Sequence, residues 1–206
     1  MSKDTSNSER ATQNKVVKLF QEELGYRYLG NWQDRYGNSN IEVEYLQEFL
    51  LEKGYSSSHI GKALDIVLPA AKGHAESLYH ANQKFYSYLR YGVPVKIEPG
   101  LPSETVVLID WQKPVANKFA IAEEVTIHGD HEKRPDIVLY VNGIALGVLE
   151  LKNSRKDLSE GIRQNITNQD EQFIKEFFTS IQLIMAGNDS QGLRYGTIDT
   201  PEKYYL

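Results

Sequence analysis

Apolar residues recur at helical spacing through the first half of the chain and at strand spacing through the second. Val16, Leu19, Phe20 and Leu24 fall on one helix face, and Gly25 suits the stop that follows. Tyr45, Leu46, Phe49 and Leu50 predict a second helix over 41–53, ended by Gly54. Ile60, Ala63, Leu64, Val67 and Leu68 predict a third, closed by Pro69. Leu78, Tyr79, Phe85, Tyr86 and Leu89 predict a fourth that ends near Gly92-Val93-Pro94. Because these aromatic residues fall at helical spacing, they read as core rather than as a base-stacking platform. Residues 1–14 are polar and read as a frayed start.

From Thr105 the period changes. Residues 106–110 and 119–127 read as strands, and two apolar runs joined at Asn142-Gly143 read as a hairpin. Asp157-Leu-Ser-Glu160 is a capping-box pattern. It opens a helix whose inner face runs Leu158, Ile162, Ile166, Gln169, Phe173 and Phe177, with a break near Asp170. Residues 181–186 and 193–198 read as final strands around a loop at 188–192. No internal repeat or low-complexity linker separates these segments. The pattern predicts an α/β fold in one domain over 1–206: a mainly helical part (1–100), then a mixed β-sheet flanked by helices (105–206).

A chain of 206 residues can bury one good core, and 40% hydrophobic with 25% charged residues is ordinary for a soluble protein. With no cysteine, a disulfide framework, a thiolate nucleophile and a Cys-ligated zinc are excluded. No signal peptide or membrane-length apolar run is present, which points to the cytoplasm. The net charge of −5 argues against a tight grip on duplex DNA by this chain alone. Cations nevertheless gather along the sequence at Lys133, Arg134, Lys152, Arg155, Lys156 and Arg163, while acids crowd 21–53.

Candidate chemistry lies at the open end of the hairpin, where Asp136 faces Glu150-Leu151-Lys152. Charges are costly on strands this apolar unless paired or metal-bound. Two nearby carboxylates repel, so a hard divalent cation is their natural neutraliser. Mg2+ takes one or two carboxylates together with waters and phosphate oxygens. It lowers the pKa of a bound water and offsets charge at a phosphorus under attack. Lys152 shares the strand face of Glu150, where its ammonium can orient a nucleophile. The reaction suggested is phosphodiester hydrolysis.

Register decides whether these groups meet. A plain two-residue turn pairs Val141 with Ile144 and puts Asp136 opposite Leu149, sending Glu150 and Lys152 to the other face. A shared site therefore requires an offset: a bulge, with Gly147 the expected position, or a three-residue loop. Asp136 lying just beyond the paired region is the remaining route. His128, Asp130 and His131 read as exposed loop residues rather than a transition-metal site.

Pro135-Asp136 with Glu150-x-Lys152 resembles the PD-(D/E)xK nuclease motif. Over a longer span the chain resembles the N-terminal nuclease region of restriction (R) subunits of type I restriction–modification enzymes. The stretches carrying this run in order: 107–111, 117–119, 134–152, 161–165, 185–188, 194–197 and 200–205. The resemblance implies a restriction-endonuclease-like sheet and a Mg2+-dependent DNA endonuclease. Such an enzyme cuts unmodified foreign DNA within an ATP-driven translocating complex.

The same resemblance implies Asp136, Glu150 and Lys152 as catalytic residues, with Asp136, Glu150 and the Leu151 carbonyl holding Mg2+. Relatives carry Gln-x-x-x-Tyr on the next helix. Gln164 fits that pattern, although a plain exposed glutamine reads equally well there, and Asn168 stands at the tyrosine position. Glu9 is the candidate supporting glutamate of the first helix, against a capping role beside Ser6. Arg134, Arg155, Lys156 and Arg163 form the expected DNA-binding rim. Implied partners are double-stranded DNA and the modification and specificity subunits. ATP would enter only through a motor beyond this chain, which has no G-x-x-x-x-G-K-[ST] loop. The chain alone is expected to cut DNA little or not at all. A vestigial docking or DNA-clamp module, or a stand-alone nuclease of the same fold, are the rival readings.

Overall fold

The computed structural model describes residues 2–73, 77–100 and 102–206, with side chains from Glu9 onward. In chain order the elements are α1 (Ser2–Glu22), β1 (Arg27–Asn31), α2 (Val43–Glu52), α3 (Ser57–Lys72), α4 (Leu78–Tyr91), β2 (Val93–Val95) and β3 (Glu104–Val106). There follow β4 (Phe119–Glu123), β5 (Ile137–Val141), β6 (Ile144–Leu151), α5 (Leu158–Asn168), β7 (Leu183–Asn188) and β8 (Gly192–Gly196). No helix among the described residues is long and apolar enough to cross a membrane.

Six strands form a mixed sheet in the order β1-β4-β5-β6-β7-β8, and β2 pairs with β3 alone. β1 runs parallel to β4 and β7 parallel to β6; the other neighbours are antiparallel. One sheet face packs Val138, Val148 and Ala186 against Leu158 and Ile162 of α5. The other packs Ile121, Ile137, Leu149 and Leu151 against Val17 of α1. Ile144, at the closed end of the hairpin, joins the core of α2, α3 and α4.

Several elements depart from the sequence reading. The polar start is helical rather than frayed, because α1 is held by polar contacts: Thr12 and Gln13 are buried. β1 falls where only helices were expected, as a short edge strand interrupted by Gly30 with no alternation to announce it. Pro69 lies inside α3 rather than closing it. The carbonyl that loses its partner to a proline, four residues back on exposed Asp65, can be solvated. The strand expected at 106–110 shrinks to β3, which ends at Val106. Beyond it side chains take over the backbone: Tyr55 accepts the Val107 N–H, and Asp110 accepts those of Gln112 and Lys113. β4 stops at Glu123 because Glu124 turns the chain with φ +50°. The break near Asp170 is present, α5 ending at Asn168 and a 3-10 turn following at Lys175–Thr179.

Candidate active site

The hairpin turn is a two-residue one, with Asn142 and Gly143 both left-handed at φ +53° and +81°. Asn142 is buried and ties the tip down. Its Nδ2 donates to the Leu108 carbonyl and Asn117 Oδ1, each at 2.8 Å, while its Oδ1 accepts the Lys118 N–H. The strands then pair Tyr140 with Ala145 but Leu139 with Gly147, leaving Leu146 as the extra residue of a bulge. The required offset is therefore present, one residue before the expected glycine. Beyond it Ile137 faces Leu149, the last pair of the ladder, and Asp136 just past it continues the restored register toward Glu150, accepting the Leu151 N–H. Leu149 and Leu151 go to the α1 face, while Glu150 and Lys152 face α5.

The bulge thereby gathers a charged cluster at the edge of the core. Glu150 is 1% exposed and Lys152 7%. Lys152 Nζ lies 3.2 Å from Glu150 Oε1 and donates to Gln164 Oε1 at 2.8 Å. Glu9 Oε1 stands 3.8 Å from the same nitrogen. The Leu151 N–H donates to Asp136 Oδ2 at 2.6 Å, which fixes the rotation of that carboxylate. Glu150 Oε2 is buried with no partner.

Burial dominates the electrostatics. Desolvation pushes the Asp136 carboxyl up to about 6, against the pull of the Leu151 amide and Lys152. Glu150 is raised well above the usual carboxylate range, first by burial and then by the charge of Asp136. Burial works against the charge on Lys152, yet its carboxylate neighbours outweigh it and hold the ammonium protonated. One ammonium among these buried carboxylates leaves the pair holding a proton unless a further cation arrives.

Gly161 sets the distance between α5 and the sheet. A Cβ there would lie 3.2 Å from Ala186 Cβ, 3.4 Å from Lys152 Cγ and 3.7 Å from Glu150 Cγ. Its absence lets α5 approach closely enough for Gln164 to reach Lys152, so Gln164 is half-buried against the charged cluster rather than a plain exposed glutamine. Asn168, one turn on, points inward. It is 1% exposed with neither side-chain polar atom partnered, so it presents nothing to a ligand at the surface.

The expected basic rim is largely neutralised. Arg134 pairs with Glu124 at 2.8 Å, Lys156 with Glu160 at 3.5 Å and Arg163 with Glu202 at 3.0 Å. Arg155 is exposed on the loop after Lys152. Lys133 stacks over the Phe173 ring at 4.0 Å instead of joining the site. Glu9 is in the third turn of α1, which excludes the capping role; the Ser6 side chain lies outside the described residues. His128 pairs with Glu132 and the His131 ring lies tilted at 50° to that of Phe173, both histidines exposed.

A support behind the site had no signal in the hydrophobic pattern. Buried Glu123 accepts from Gln13 Nε2 at 3.2 Å and Tyr28 OH at 3.0 Å, and pairs with Arg10 at 3.0 Å. Gln13 also donates to the Asp136 carbonyl at 3.3 Å. Polar residues at 9 and 13, four apart, are the trace that a site-facing helix leaves in the sequence.

Residues 6–203 match the family described as the type I restriction enzyme R protein N terminus. The chain belongs to that family. A stretch of 127 residues, 58% of this chain, is 33% identical to the type I restriction enzyme HindI endonuclease subunit of Haemophilus influenzae. The match spans 12% of that subunit's length.

Proposed function

We propose that this chain is the Mg2+-dependent DNA-cleaving part of a type I restriction enzyme R subunit, hydrolysing phosphodiester bonds of unmodified DNA. The observation that carries the reading is the bulge at Leu146, which brings Asp136 to Glu150 with Lys152 and Gln164 beside them. In this reading the motor that uses ATP, and the surfaces for the modification and specificity subunits, belong to the rest of the protein.

The donor set fits a divalent cation. A buried carboxylate, Glu150, beside a half-buried one, Asp136, carries more charge than Lys152 offsets, and Glu150 Oε2 is an orphaned acceptor in the core. No group of three or more metal-ligating side chains gathers among the described residues. The protein's share is then two carboxylates and the Leu151 carbonyl, as suits Mg2+, which keeps waters and phosphate oxygens in its remaining positions. When bound, Mg2+ supplies an activated water and offsets charge on the phosphoryl oxygens.

The chain's own groups do the positioning. The Leu151 amide holds Asp136, while Glu150 and Gln164 take two of the three N–H bonds of Lys152. Among the described residues the third has no hydrogen-bond partner, and in this reading it serves a nucleophilic water or a non-bridging phosphate oxygen. Glu9, from the opposite face, keeps the ammonium over the site.

Calorimetric titration of Mg2+ into the chain tests this reading. One site is expected, lost in Asp136→Asn and in Glu150→Gln and retained in Lys152→Ala. No binding by the native chain, or binding that survives both carboxylate changes, would leave a vestigial module as the better account.

A further inference from the structure

The flank of α4 that the core leaves uncovered carries rings and cations that the proposed cleavage chemistry does not use. Tyr79, Gln83, Tyr86 and Arg90 follow at i, i+4, i+7 and i+11, which places them within about 60° of arc. Leu78, Asn82, Phe85 and Leu89 take the buried flank. Tyr79 is 54% exposed and Tyr86 44%, so these two rings are not the core residues that their spacing suggested. At the helix end the Arg90 guanidinium stands 5.8 Å from the ring centroids of both Tyr91 and Trp111. Trp111 is 50% exposed, and its indole N–H donates to the Leu89 carbonyl at 2.8 Å, which fixes the ring beside Arg90. From Tyr79 to Arg90 the row runs about 17 Å along the helix.

Charge along this segment has one sign. Between Ser77 and Ile97 the sequence holds no acid; of its cations Arg90 lies on the row, Lys84 lies about 140° round the helix from Tyr79, and Lys96 follows β2. Asp110, beside Trp111, is already paired with Lys53.

We propose that this face of α4 binds single-stranded DNA, its open rings stacking on unpaired bases while Arg90 holds a phosphate. A duplex hides its base faces, whereas each unpaired base that stacks on an aromatic ring gains on the order of 1–3 kcal/mol. Protein interfaces also favour Tyr, Trp and Arg, but a row of open rings that ends in Arg90, on a helix with no acid, suits a polyanion. The face is separate from the carboxylate site. The loop of Trp111 is tied through Asn117 to Asn142 at the closed end of the hairpin, and the carboxylates lie at its open end.

Fluorescence gives a direct test, because the chain has two tryptophans and Trp32 is buried. In Trp32→Phe, with EDTA present, a single-stranded oligothymidylate should quench Trp111 saturably. A duplex of equal length should quench it less. Tyr86→Ala combined with Arg90→Ala should weaken the affinity by about tenfold, the equivalent of 1.4 kcal/mol. Anisotropy of a labelled oligothymidylate with the otherwise native chain should give the same ratio, which guards against a poorly folded Trp32→Phe. Glu150→Gln should leave the quenching intact, so this site and the cleavage site stand or fall separately. Absence of quenching, equal affinity in the double variant, or loss of quenching in Glu150→Gln would overturn the proposal. So would a double variant that changes only the sedimentation mass, the mark of a protein interface.

Discussion

At the scale of single residues, Gly161 and Gln164 separate geometry from stability. A methyl at 161 would press on Ala186 and Lys152 at 3.2 and 3.4 Å, so the neighbours must give by a few tenths of an ångström. Gly161→Ala should cost on the order of 1–3 kcal/mol, as overpacking does. It should also lower the cleavage rate by about tenfold, because a small misplacement of a positioned group is expensive. Cleavage by Gly161→Ala at the native rate would mean that α5 does not set the position of Lys152. Gln164 was legible only as a motif position; periodicity put it nearly opposite the stripe of Ile162 and Ile166, where an exposed glutamine read equally well. Asn168 illustrates the reverse, a motif position whose side chain the fold turns inward.

At the scale of elements, the hairpin is where sequence and structure agree most closely. Asn142-Gly143 announced the turn, and register arithmetic announced that the two carboxylates meet across an offset or with Asp136 just beyond the paired region. The position of the bulge was not legible to the residue, because any of several positions restores the alternation. The helix α1 was half hidden for a different reason: its inner side from Glu9 to Gln13 is polar and bonded to other polar groups, so hydrophobic periodicity begins only at Val16. β1 escaped because an edge strand of five half-exposed residues has little pattern to offer. Asn142→Ala tests the tip. It strands the hydrogen bonds to Leu108, Asn117 and Lys118 and leaves a non-glycine residue at φ +53°. A loss of about 2–4 kcal/mol in urea unfolding is expected. A loss under about 0.5 kcal/mol would be that of an ordinary surface change and would show that the tip does not anchor the register.

At the scale of the molecule, the paired carboxylates tie folding to pH and to metal. Asp136 titrates at about 6 in the folded chain, above its usual 3.8. A carboxyl raised on folding contributes stability that is complete below its ordinary value and is lost as pH rises through about 6. The metal-free chain should therefore be less stable at about pH 8 than at about pH 5, and Asp136→Asn should flatten that slope. At about 100 times its dissociation constant Mg2+ should raise the melting temperature by roughly 5–10 °C at the higher pH. It should do less at the lower pH, where protons compete for the same oxygens. An Asp136→Asn chain with the native slope would place the pH dependence elsewhere.

The central claim is that Asp136, Glu150 and Lys152 form the phosphodiester-cleaving centre of a larger enzyme whose motor lies outside this chain. It is tested most directly by placing Lys152→Ala in the full R subunit, assembling the restriction complex, and following DNA cleavage and ATP hydrolysis in one reaction. Cleavage should fall by about a hundredfold or more, as when a charge-stabilising donor is removed from a catalytic site, while ATP hydrolysis continues at the native rate. Native cleavage by the Lys152→Ala complex, or joint loss of cleavage and ATP hydrolysis in a normally assembled one, would contradict the account.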